Sequence, residues 1–157
     1  MDMDGLKQIA ALSGPGYSEL HWKDSKKAYY PVDGTITDEV IRAHLDGSQP
    51  IGINMNVGDD KSHLAVWDFD DHDSQHDAQV MLRRVGYVAA ALHNLGIPYF
   101  VVRSGGGRGY HLWVAFANAV RMDSIRKRMA EVLDEANRLL AQSPYGHEKF
   151  EIGRAHV

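Results

Sequence analysis

Cysteine is absent from the 157 residues, so neither a disulfide framework nor a thiolate metal site is available. That absence fits a reducing compartment, and the expected location is the cytoplasm. Long apolar runs are missing too. No stretch approaches the roughly 20 residues of a membrane span, so no membrane partner is expected. The first residues, MDMDGLK, are acidic and do not read as a signal peptide. Proline is scarce, with 5 in the chain, and no repeat or low-complexity segment occurs. A formal net charge of −4 argues at first against a nucleic-acid partner. The charge is unevenly spread, however. Seven aspartates face one lysine over 59–77, whereas six basic residues face Asp123 alone over 103–128. An acidic stretch followed by a basic one is a charge dipole along the chain, and bound cations would neutralise part of its acidic end.

What is present reads as one α+β domain of ordinary size. A short helix is expected over 4–12, stopped by Ser13-Gly14-Pro15-Gly16. Residues 23–32 read as loop or edge strand. Thr37 is placed to cap a second helix, with Asp38 and Glu39 in its first turn and Gly47 after it. Alternation over 51–57, a Gly58-Asp59-Asp60-Lys61 turn and an apolar run over 64–69 predict a hairpin. Ser74 and Asp77 resemble a capping box opening a helix that runs to Asn94 before Gly96 and Pro98. Strands over 99–102 and 111–116 form a second expected hairpin, and apolar residues from Ile125 to Leu140 mark a last helix.

Two segments carry the chemistry. In VWDFDD (66–71), Asp68 and Asp70 stand two apart at a strand exit and so share one face. Paired carboxylates suit Mg²⁺ or Mn²⁺, hard cations that also take phosphate oxygens. A polar strand end built from turn-forming aspartates is the plain alternative. Asp71 and Asp73 are placed to cap the next helix or to support the metal-binding pair from behind, and His72 with His76, lacking a third ligand, read as exposed first-turn residues rather than a zinc pair. In RSGGGRGYHLW (103–113), the glycines, Gly107 among them, allow backbone N–H groups to close on phosphate oxygens. Arg108 can add a bidentate grip, and Ser104 and His111 flank the turn. No Gly-Lys-Ser/Thr follows, and the next segment is strand-like, which excludes a Walker loop and a dinucleotide fingerprint. A simple hairpin turn with a structural histidine is again the plain alternative.

The ordered pair, hDxD and then S-G-G-x-G-x-H-L-W after an intervening helix, resembles the archaeo-eukaryotic primase superfamily. The nearest likeness is to the primase-polymerase-like domains of plasmids, phages and mobile elements, and it runs over about 30–117. The resemblance implies an RRM-like antiparallel sheet with flanking helices and an N-terminal α/β unit. It implies Asp68 and Asp70 as metal-binding catalytic acids, and Ser104, Gly107, Arg108 and His111 around the phosphates of an NTP or dNTP. The implied reaction is template-directed nucleotidyl transfer on single-stranded DNA, in replication or repair of a mobile or phage-like element. A helicase or zinc-binding segment, in the chain or in a partner, is often found downstream in such proteins.

The family's third motif supplies one more acid, which in some relatives precedes Ile-Phe-Pro-Lys. Glu151-Ile152 begins in that manner, and Gly-Arg-Ala-His-Val follows instead. EIGRAHV is also encoded by GAG-ATC-GGA-AGA-GCA-CAC-GTC, a stretch like sequencing-adapter read-through. Residues 1–152 are therefore expected to be a C-terminally truncated catalytic domain and 153–157 a non-native tail, with Glu151 as candidate third acid. Two rivals stand beside this expectation. One is a haloacid-dehalogenase-like phosphatase using Asp68 as nucleophile, although that fold places its DxD near the N-terminus. The other is a nucleic-acid-binding module without catalysis.

Overall fold

The computed structural model describes residues 2–23, 26–69, 78–104, 109–146 and 155–156. Two antiparallel sheets and, among the described residues, four helices make a mixed α+β protein.

The N-terminal unit begins with α1 (Met3–Ala11), whose N-cap Asp2 accepts from the Gly5 amide at 2.9 Å. Strands β1 (Tyr17–Lys23) and β2 (Lys26–Val32) then pair as a hairpin, with Trp22 opposite Lys27 and Leu20 opposite Tyr29. Pro31 sits on β2, an edge strand, where a missing N–H is tolerated. Helix α2 (Asp38–Leu45) starts at Thr37, whose Oγ1 accepts from Val40 N, and buries Ile41. Strand β3 (Ile51–Ile53) completes the sheet in the order β2-β1-β3.

Here the structure corrects an expectation. Apart from one bond beside the turn, Val57 N to Lys61 O at 2.9 Å, residues 51–57 do not pair with 61–69; β3 is three residues long and pairs with β1. The strand ends because asparagine side chains compete for the backbone: Asn54 Nδ2 donates to Pro15 O, Asn54 Oδ1 accepts from Asn56 N, and Asn56 Oδ1 accepts from Gly58 N. The Gly58-to-Lys61 turn does form, with Asp59 and Asp60 both left-handed at φ 52° and 53°, as a type I′ turn requires. Strand β1 was not anticipated. Its sequence, YSELHWK, buries only Tyr17 and lacks clean alternation.

The second unit runs β4 (Lys61–Phe69), α3 (Ala78–Asn94), β5 (Phe100–Arg103), β6 (Tyr110–Arg121), α4 (Met122–Ala141) and β7 (Ala155–His156). Its sheet order, β5-β6-β4-β7, together with the β-α-β-β-α-β chain order, is the split βαβ arrangement of RRM-like folds. The expected hairpin between β5 and β6 is present. Ala155 and His156 pair with Trp67 and Val66, a register of two residues. The capping residues expected at 74–77, together with Asp71, Asp73, His72 and His76, lie outside the described residues.

Alternation decides the core. Ala65, Trp67 and Phe69 of β4 and Leu112 and Val114 of β6 pack against Met81, Val85, Val88 and Leu92 of α3 and Ile125, Met129, Val132 and Ala136 of α4. A 3-residue register shift in β6 opposite Ser62–Leu64 breaks the ladder. The Ser62 hydroxyl fills the gap, accepting from Leu64 N and donating to Leu64 O. α4 lacks a side-chain cap; the Met122 amide instead donates to Asp60 O at 2.8 Å, tying the helix start to the type I′ turn. Among the described residues no helix is long and apolar enough to cross a membrane.

Two outcomes follow. Leu92→Ala, at a fully buried position on α3, should lower the unfolding free energy by about 2–5 kcal/mol in urea titrations followed by circular dichroism. The second concerns His44, whose Nδ1 accepts from the Ile51 amide at 3.2 Å and so joins α2 to β3. Burial holds this imidazole below the ordinary histidine range. The unfolded chain therefore takes up the proton first, so stability should be complete above about pH 6.5 and decline as pH falls below it. Urea midpoints measured across that range should show a shallower decline in His44→Gln.

Candidate active site at the strand exits

The site is set by the register of two strands. Asp68 of β4 lies directly opposite His111 of β6, and Val102 of β5 lies on the other side of His111. Because Ala65, Trp67 and Phe69 point toward the helices, Leu64, Val66 and Asp68 occupy the opposite face. His111 and Trp113 share that second face, since Leu112 and Val114 take the helical one. His111 Nε2 comes within 3.5 Å of Asp68 Oδ1, with the two side chains 35% and 31% exposed. A carboxylate and an imidazole thus meet at the partly solvated ends of the two central strands, which brings the two sequence segments together.

A second row lies one step deeper. Phe100 stacks on Trp113 at 6.4 Å between centroids and 7° between planes, and the His111 ring meets Trp113 edge-on at 6.4 Å. The Trp113 indole N–H is buried and has no hydrogen-bond partner among the described residues. Sequence reasoning gave Trp113 and Phe100 no role. The signal available was the period of two that puts Trp113 on the histidine's face.

Ser104 closes the glycine turn. Its amide donates to Gly109 O at 2.9 Å, and its Oγ accepts from Gly109 N at 3.0 Å. The serine hydroxyl therefore clamps the two ends of the turn and keeps its own O–H proton for a further acceptor. Asp70, Gly107, Arg108 and Glu151 lie outside the described residues. The basic stretch that follows is partly spent locally. Arg126 reaches Asp123 at 2.9 Å and Arg128 reaches Glu131 at 2.6 Å, both within α4.

The family model of the archaeo-eukaryotic primase domain of TOTE conflict systems matches residues 20–147. The chain belongs to that family. No curated protein matches it. The match extends beyond the 30–117 of the sequence resemblance and takes in β1 from Leu20 onward, β2 and all of α4. Primases of this family are nucleotidyltransferases and are generally dependent on divalent metal. The residues described at the strand exit suit such a cation in kind: a partly exposed aspartate, with hard carboxylate oxygens, beside an imidazole. Among the described residues, no group of three or more histidine, aspartate or glutamate side chains converges.

Ser104→Ala removes the acceptor of the Gly109 amide. That amide, buried in the parent, should exchange its hydrogen faster in the variant, with a loss of about 1 kcal/mol of protection.

Proposed function

We propose that this primase domain transfers nucleotidyl groups from an NTP or dNTP to a 3′-hydroxyl on a single-stranded DNA template, as part of a conflict system of a mobile element. The observation that carries the proposal is the direct cross-strand pairing of Asp68 with His111, at 3.5 Å, on the sheet face away from the helices. In the reaction a bond forms between the 3′-oxygen and the α-phosphorus, the bond from that phosphorus to the bridging oxygen breaks, and pyrophosphate leaves.

Asp68 and Asp70, two apart at the exit of β4, are the residues to hold Mg²⁺ or Mn²⁺, with Glu151, or an acid in its place, as the third carboxylate. Such a cation, when bound, neutralises charge on the phosphates and lowers the pKa of the attacking hydroxyl. His111 stands on the adjacent strand, where an imidazole N–H can donate to a phosphate oxygen beside the metal site. Ser104 holds the hairpin neck narrow and can offer its hydroxyl proton to the same phosphates. Gly107 and Arg108, on the turn between them, complete the cradle with backbone N–H groups and a guanidinium fork. Residues 1–152 constitute the catalytic part on this reading, with a helicase as the natural downstream partner.

Asp68→Ala should abolish Mn²⁺-dependent extension of a primed single-stranded template, by at least about a thousandfold. His111→Ala should raise KM for the nucleotide more than it lowers kcat. The assay needs a chain carrying the native sequence beyond Phe150, run beside the present one. Extension by Asp68→Ala at the parent rate would exclude the proposal, and template-independent phosphate release by the parent would favour a phosphatase.

A further inference from the structure

The β1–β2 hairpin reaches past the sheet it belongs to. β3 pairs with β1 only at Tyr17, Ser18 and Glu19, and the last bonds on that edge are Leu20 N to Pro50 O and Gln49 Nε2 to Leu20 O. Beyond Leu20 the hairpin is a two-stranded arm. Its residues His21, Trp22, Lys23, Lys26, Lys27 and Tyr29 are all exposed. Trp22 is 70% exposed and Tyr29 56%, so neither ring contributes much to a core.

Their arrangement is ordered nonetheless. Trp22 lies opposite Lys27 and Leu20 opposite Tyr29, which puts Trp22, Lys27 and Tyr29 on one face of the arm. Lys27 Nζ sits 5.0 Å from the centre of the Trp22 ring, and the edge of the Tyr29 ring lies over Gly52, where no side chain rises to cover it. Diagonal neighbours of an antiparallel pair stand about 7–8 Å apart, so the two rings follow one another along the arm. Lys23 and Lys26 flank the tip, so three lysines stand against Asp24 and Glu19, and the Glu19 carboxylate is already engaged by His21 at 3.1 Å and by Tyr17 at 3.3 Å. On a chain of net charge −4, this is a local cationic and aromatic surface.

We infer that the arm is a stacking platform for single-stranded nucleic acid, in which Trp22 and Tyr29 take successive bases and Lys23, Lys26 and Lys27 take phosphates. Exposed rings interleaved with lysines are the combination that binds single strands without regard to sequence, because every base has a π-face and every linkage a negative charge. Only the identity of the strand, the template, rests on the proposed function; the binding itself does not.

The test is the affinity of the full chain for a fluorescein-labelled oligothymidylate, by anisotropy at several salt concentrations. Trp22→Ala and Tyr29→Ala should each weaken binding about tenfold, while Trp22→Phe keeps most of the affinity. Lys27→Gln should reduce the slope of log K against log salt by about 0.7. Because both rings are exposed, thermal unfolding should be nearly unchanged in these variants. Parent-level affinity in the Trp22→Ala/Tyr29→Ala double variant, or no measurable binding by the parent, would overturn the inference. So would a double variant that binds normally but sediments as a smaller species than the parent, since the arm would then be a contact between copies. Synthesis dependent on Asp68 with normal binding by the double variant removes the platform and leaves the catalytic proposal. Weakened binding without any Asp68-dependent synthesis does the reverse.

Discussion

The pairing of β4 with β6 is the constraint on which the molecule depends. It sets Trp67 opposite Leu112 on the helical face and Asp68 opposite His111 on the other. A slip of one residue would turn Asp68 into the apolar layer beneath α3 and α4 and move Trp67 to the opposite face. Burial of Trp67, Phe69, Leu112 and Val114 against the two helices makes that slip costly. The same hydrophobic pattern that stabilises the sheet therefore aligns the acid with the histidine. Core and site are two faces of one register.

Around that register the chain spends its polar side chains on closing loops. Ser62 fills the bulge in the ladder, Asn54 and Asn56 end β3, and Ser104 clamps the neck of the glycine turn. Each satisfies backbone groups that the sheets leave open. The neck of the glycine-rich segment is held at both ends by the Ser104–Gly109 bonds.

The two sheets divide the surface chemistry between them. The second sheet carries the acid, the histidine and the stacked Phe100–Trp113 pair at its strand exits and just behind them. The first sheet puts its rings on an arm instead, with lysines beside them. The stretch matched by the primase family, 20–147, takes in both. Local ion pairs quiet much of the basic charge on α4, so the basic stretch seen in the sequence is less available than its count suggests.

The sequence by itself determined the elements whose information is local. Thr37 as a cap, Gly96 as a stop, the helical spacing of α4 and the β5–β6 hairpin are all properties of short windows, and so are the two motifs that carry the family resemblance. Which strands pair was decided only by the tertiary structure. The 51–57 segment alternates well enough to suggest a hairpin with its neighbour, yet asparagine-to-backbone bonds cut it short and β1, hidden in an irregular sequence, takes it as partner. The second aromatic row and the exposed arm likewise depend on contacts between residues far apart in the chain. Pairing across a sheet is a competition among all strands for buried edges, and no window of sequence contains its rivals.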